Sequence, residues 1–129
     1  MPTLTDASPV SFILPAQPLR RYISTYYFLD TGPNEAERVD LLYPEWATVR
    51  FTLRGKATGN TVGLDPLAIP ADSITGPTGK AALVQFRSIH VVGFGILPLG
   101  WYRIIGSPAD RWADKVTAVD NAPEFGLLA

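Results

Sequence analysis

Along the chain, apolar and polar residues alternate with a period of two over several short stretches, the pattern of strands whose two faces meet different surroundings. In residues 90–97, Val92, Phe94 and Ile96 point one way, while Val91, Gly93, Gly95 and Leu97 point the other. Residues 47–54 alternate most cleanly. Ala47, Val49, Phe51 and Leu53 make a core face and Thr48, Arg50, Thr52 and Arg54 a wet face, as in a half-buried antiparallel strand. Residues 81–89 set Ala82, Val84 and Phe86 against Leu83, Gln85 and Arg87, with Ser88 marking a bend. The proximity of 81–89 and 90–97 predicts a hairpin between them. Residues 19–29 are partly apolar on both faces, so this strand is expected to be covered on both sides. Short strands are predicted at 10–14 (an edge), 40–43 and 73–75, with a polar loop over 30–37 and turns at 45–46, 55–60 and 76–79.

The pattern changes after Pro98, which has no N–H for a strand ladder. Leu99, Trp101, Tyr102, Ile104 and Ile105 have helical spacing, and Gly106 fits a left-handed C-terminal position. Ser107 then fits an N-cap, Pro108 a first helical position and Asp110 the first turn, so a second helix is expected to run to Val116. Four prolines punctuate residues 1–18, which read as an irregular arm. Residues 117–129 read as the start of a linker or connecting helix, with a helix start near Asn121, Ala122 and Pro123. The expectation is one domain over 1–129, mainly β, an antiparallel sandwich or small barrel with two short C-terminal helices closing one side.

Composition narrows the chemistry. The 129 residues are 47% hydrophobic and 18% charged, which is enough for a modest single core and excludes disorder. A net charge of −1, with basic residues scattered, excludes the footprint of a nucleic-acid-binding domain. There is no cysteine, so thiolate catalysis, zinc ribbons and iron–sulfur clusters are excluded. No secretory signal pattern and no membrane-spanning run is present, so a cytoplasmic protein is the expectation.

His90 is the only histidine and has no metal-ligand spacing around it, so no metal and no cofactor is expected. Neither a nucleophile elbow nor a phosphate loop occurs, and Gly93-Phe94-Gly95 lies within a strand. Close packing explains the two glycines better than a cavity floor does. Asp110 and Asp114 read as solvated helix-face acids. No catalytic residue is assigned. An enzyme reading finds only Arg50 and Glu45 as a pair, while a stand-alone small-molecule-binding barrel is the stronger alternative. Most of the many aromatics must be core. Tyr27, Trp46, Gln85 and Trp101 are the candidate pocket-lining residues, with Arg50 as a partner for a ligand carboxylate if its strand face lies inside a barrel. If that face meets bulk solvent, Arg50 does nothing specific, which is the safer expectation.

Several local motifs fall in a familiar order: YISTYY (22–27), LLYPEW (41–46), ITGP (74–77), VVGFGILPLGWYRIIG (91–106) and SPADRWADKV (107–116). Over residues 19–120 this resembles the N-terminal, sensor-like domain of AraC-type bacterial transcription regulators. Pro98, Gly100, Trp101, Gly106, Asp114 and Val116 occupy that pattern's places. The resemblance implies a cupin-like β-sandwich or barrel that binds a small-molecule effector or mediates homodimerisation. It implies no catalytic residues. It also implies that DNA is bound only through a C-terminal helix-turn-helix domain, and residues 117–129 are too few to hold one. The metal-binding variant of the cupin barrel is excluded, since it needs several histidines.

Overall fold

A computed structural model describes residues 10–32 and 36–121. Eight strands form one antiparallel sheet: β1 (Val10–Ile13), β2 (Ile23–Asp30), β3 (Arg38–Leu42), β4 (Ala47–Thr61), β5 (Leu67–Ala68), β6 (Asp72–Thr75), β7 (Ala82–Ile96) and β8 (Val116–Ala118). The mainly β, antiparallel architecture expected from the sequence is therefore the observed one.

The two long strands β4 and β7 pair along their whole length, from Ala47 opposite Ile96 to Thr61 opposite Ala82. This corrects two expectations. Residues 81–89 and 90–97 are not a hairpin but one strand, and residues 55–60 are not a turn but the second half of β4. The cause is a pair of facing irregularities. Gly55 has φ +81° and Ser88 φ +52°, and the register shifts between Thr52 and Lys56. A bulge of this kind displaces the alternation by one residue. Thr48, Arg50 and Thr52 thus share a face with Ala57, Gly59 and Thr61, and Val84 and Phe86 share it with Ile89 and Val91.

The bulge divides the sheet into two portions. One has the order β1-β2-β7-β4-β6-β8, using residues 90–96 of β7 and 47–52 of β4. In the other, β3 and β5 flank the remaining halves of β7 and β4. Side chains brace the junction. The Thr31 amide donates to the Ile89 carbonyl (3.0 Å), and the Ile89 amide donates to the Thr31 hydroxyl (2.8 Å). Arg54 donates from Nε to the Ser88 carbonyl (3.0 Å) and pairs with Asp30, whose carboxylate also accepts the Gly32 amide (2.8 Å). Asp30 is thereby held below the usual carboxylate range, by the Gly32 amide first and the Arg54 bond second.

Two apolar clusters result, one on each face. Val84, Phe86, Ile89 and Val91, with Tyr27, Leu29, Leu42, Ala57 and Ile69, join the two portions on the inner face. On the outer face, Ala47, Val49, Ile74 and Ile96 are covered by Trp101, Ile105 and Val119. Leu53, expected in the core, is 61% exposed, because it falls beside the bulge where the alternation breaks.

The C-terminal segment supplies that cover with little helix. A turn at Pro98–Gly100 continues into a π-helical turn, Trp101–Ile105, closed by the left-handed Gly106 whose amide donates to the Trp101 carbonyl (3.0 Å). The second helix expected over 107–116 is a single 3-10 turn, Ala109–Arg111. The Ser107 hydroxyl does not cap it but accepts the Trp112 indole N–H (3.1 Å), and Asp114 turns the chain with φ +56°. Asp110 and Asp114 accordingly do not share a helix face. Residues 116–118 then join the sheet edge beside β6 rather than starting a linker. Of the expected helix start near 121–123, a 3-10 turn Val119–Asn121 is seen and the rest lies outside the described residues.

Candidate functional site

Between the two portions of the sheet lies a cleft of about 720 Å³, lined mostly by apolar surface. Its size falls in the roughly 300–1,000 Å³ range of small-molecule sites, which are concave and apolar with a few placed polar groups. Its walls are the inner faces described above: Leu29, Val91 and Ile89 on one side, Val84, Phe86 and Ala57 on the other. The strand face read as wet from its alternation is therefore the lining of this cleft, because β4 is bent back over it. Thr48 is buried, Thr52 is half-buried, and Arg50 lies among them with its side chain 21% exposed. This overturns the expectation that Arg50 meets only bulk solvent.

Arg50 is positioned by cross-strand neighbours. In one row across the sheet stand Phe12 (β1), Tyr27 (β2), Gly93 (β7), Arg50 (β4) and Ser73 (β6). Gly93 has no side chain, so the Tyr27 ring lies over it. A Cβ at Gly93 would come within 2.7 Å of the Tyr27 Cζ and hydroxyl and 2.5 Å of the Val49 carbonyl oxygen. That brings the phenol end toward Arg50. The Tyr27 hydroxyl is buried beside the Arg50 guanidinium and, among the described residues, finds no acceptor for its proton. Burial pushes its pKa up; Glu45 reinforces the shift, while Arg50 opposes it both as a charge and as a neighbouring hydrogen-bond donor, so the phenol is neutral at physiological pH. Close packing, the reading preferred for the strand glycines, describes both: a Cβ at Gly95, which borders the cleft, would fall 2.2 Å from the Ser24 hydroxyl oxygen.

The guanidinium is held from two sides. It donates through one terminal nitrogen to the Thr75 hydroxyl (2.9 Å) and through the other to Glu45 Oε1 (3.0 Å). Glu45 sits in the turn after β3, at the cleft mouth. Its amide donates to the Thr78 hydroxyl (2.8 Å), and its carbonyl accepts the Thr78 amide (2.9 Å). Lys80 and Lys115 also line the cleft, as does Asp114, whose carboxylate accepts the Gly79 amide (2.9 Å). Among the described residues, no group of three or more histidine, cysteine, aspartate or glutamate side chains could hold a metal. His90, half-buried in mid-strand beside the bulge, faces Asp30 and Arg54 across the sheet.

Of the five residues singled out from the sequence, three are brought together: Tyr27, Arg50 and Trp46 line the cleft, Trp46 55% exposed at its mouth. Gln85 points to the outer surface, where its side-chain oxygen is 3.4 Å from the Thr58 hydroxyl. Trp101 is buried in the opposite apolar cluster and donates its indole N–H to the Ser107 carbonyl (2.6 Å). Neither lines the cleft. Sequence reasoning missed the wall formed by Ala57, Gly59 and Thr61; the signal was a second run of alternation after Gly55, one residue out of phase with the first.

Among the described residues, no helix is long and apolar enough to cross a membrane. No protein-family model, curated protein or solved structure matches the chain.

Proposed function

We propose that this chain is a ligand-binding β domain that takes a small, largely apolar molecule into the cleft between the two portions of its sheet. The observation that carries the reading is the cleft itself: about 720 Å³, apolar-walled, with the Arg50 guanidinium and the buried Tyr27 phenol side by side within it. Apolar surface that lines a concavity of this size, in place of the close packing of an interior, is what a small-molecule site presents. The resemblance to AraC-type N-terminal domains supports the effector-sensing form of this reading. On that form the domain is non-enzymatic and cytoplasmic, it can act as a homodimer, and DNA is contacted through a helix-turn-helix domain elsewhere in the polypeptide. The stand-alone binding protein is the second reading, and it rests on the same cleft.

Binding of an uncharged, environment-sensitive dye such as Nile red tests the cleft. The expected result is a saturable, one-site fluorescence rise that disappears when Thr52, on the cleft wall, is replaced by Trp to fill the space. Dye that does not bind, or binds the filled variant equally, overturns the reading. The regulator form is tested by the native reading frame after Ala129. A continuation with paired helix-turn-helix patterns supports it, and termination there leaves the free-standing protein.

A further inference from the structure

We infer that the Arg50–Tyr27 corner is a carboxylate subsite, that the ligand is a monocarboxylic acid with an apolar body, and that the Glu45 side chain is a built-in competitor which the ligand must displace. This rests on the cleft being a ligand site and adds the chemical class of its occupant.

Three observations converge on it. First, the corner offers two kinds of donor beside each other: the Arg50 guanidinium and the Tyr27 hydroxyl, the latter buried and, among the described residues, without an acceptor for its proton. A buried hydroxyl proton without an acceptor is costly, and a ligand acceptor would remove that cost. Second, Arg50 is already engaged by a carboxylate. Glu45 Oε1 lies 3.0 Å from its terminal nitrogen, which shows that this face of the guanidinium accepts a carboxylate oxygen in the folded protein. Third, the Glu45 side chain is free to leave while its backbone is not. Both main-chain polar groups of Glu45 are held by Thr78, whereas its side chain is 44% exposed and can swing into water. Such a pair at the edge of solvent contributes little to stability, so exchanging one carboxylate for another costs little. The apolar walls then select the body of the ligand and the guanidinium its head.

The competitor also sets a threshold. An alcohol or hydrocarbon of the same length gains the walls but not Arg50, and a bare acetate gains Arg50 but not the walls. Only a molecule with both displaces Glu45.

The experiment compares n-decanoate with n-decanol, both below their aggregation limits, by calorimetry and by displacement of Nile red at pH 7. The expected result is that wild-type protein prefers decanoate. Glu45→Gln, which keeps the side-chain shape and removes the competing charge, should tighten decanoate binding by several-fold and leave decanol unchanged. Arg50→Gln, which can still bond Thr75, should weaken decanoate by about ten- to a hundredfold, the effect of losing one charged hydrogen bond, again with decanol unchanged. Equal binding of acid and alcohol by the wild type overturns the carboxylate subsite while leaving the cleft reading standing. Weaker decanoate binding by Glu45→Gln overturns the competitor. A preference for decanoate that survives in Arg50→Gln transfers the carboxylate to Lys80 or Lys115 and overturns the assignment to Arg50. Failure of Nile red and both probes to bind is the separate outcome that removes the cleft reading, and this one with it.

Discussion

Replacing Gly55 by alanine should be among the most damaging single-methyl additions to this chain. Two terms add. Gly55 has φ +81°, where an L side chain costs about 1–2 kcal/mol. Its position also faces the partner strand: an added Cβ would sit 2.8 Å from the Ser88 carbonyl oxygen, 2.9 Å from that of Arg87 and 3.0 Å from the Ile89 Cα. All three are backbone atoms, so no rotamer change relieves the contact, and overpacking of this kind costs about 1–3 kcal/mol. The sum is about 2–5 kcal/mol, a large part of the roughly 5–15 kcal/mol that holds a domain folded. Gly63 is the internal control. Its φ of +93° carries the same strain, but nothing lies within 4 Å of its Cβ position, so Gly63→Ala should cost only about 1–2 kcal/mol. Equilibrium urea unfolding, followed by fluorescence of the three tryptophans, measures both. With a slope of about 1–3 kcal/mol per molar urea, the Gly55 variant should lose on the order of 1 M or more in midpoint. If Gly55→Ala costs no more than Gly63→Ala, the close approach of β4 to β7 at the bulge is wrong, and with it the bend that forms the cleft.

Other outcomes follow from single contacts. Tyr27→Phe removes a buried hydroxyl whose proton has no acceptor among the described residues, so it should leave stability unchanged or raise it by about 1 kcal/mol while weakening decanoate binding; a clear loss of stability would show that the hydroxyl is bonded in the free protein. Trp101→Phe strands the Ser107 carbonyl and trims the outer cluster, costing about 1–3 kcal/mol in urea unfolding, yet it should leave ligand affinity untouched because it lies on the far face of the sheet. A large change in affinity at constant stability would contradict that separation. Asp30 is held below its ordinary value in the folded state, chiefly by the Gly32 amide and then by Arg54. Its stabilising effect is therefore complete above the unfolded value of about 3.9 and is lost as pH falls through the lower folded value. The gap in urea midpoint between wild type and Asp30→Asn should accordingly close below about pH 4; a gap that widens on acidification has the wrong sign for this linkage.

How much of this was legible in the sequence depended on whether the alternation ran unbroken. Residues 47–52 and 90–96 read correctly as strands, and Gly106 as a left-handed helix end, because each signal is local and nothing distant overrides it. The bulge was not legible. A one-residue phase shift looks like the end of one strand and the start of another, and the Gly55-Lys56 step resembles a turn as much as a kink. That one error turned a continuous strand into a hairpin, and it left the inner surface of β4 looking like an outer one. Arg50 was singled out all the same, since a charge on the polar side of a clean strand is conspicuous. Gln85 failed for the opposite reason, since on a bent sheet aromatic and amide content does not reveal which face is concave. The predicted second helix failed because the Ser107 hydroxyl is claimed by a tertiary partner, Trp112, which no local pattern shows.

The continuity of β4 and β7 also bears on how the chain reaches this shape. The shortest link between the two strands is residues 62–81, so their pairing can begin at Thr61 with Ala82 and zip toward Ala47 with Ile96. A one-residue slip beyond the bulge would bring Val49 to the inside and Arg50 to the outside. The backbone around Ser88 leaves no room for a Cβ opposite it, so a slipped pairing that put a side chain in the place of Gly55 would clash. The bulge is therefore a register mark: the pairing that sets Gly55 against the Ser88 backbone is also the one that places the Arg50 cation inside.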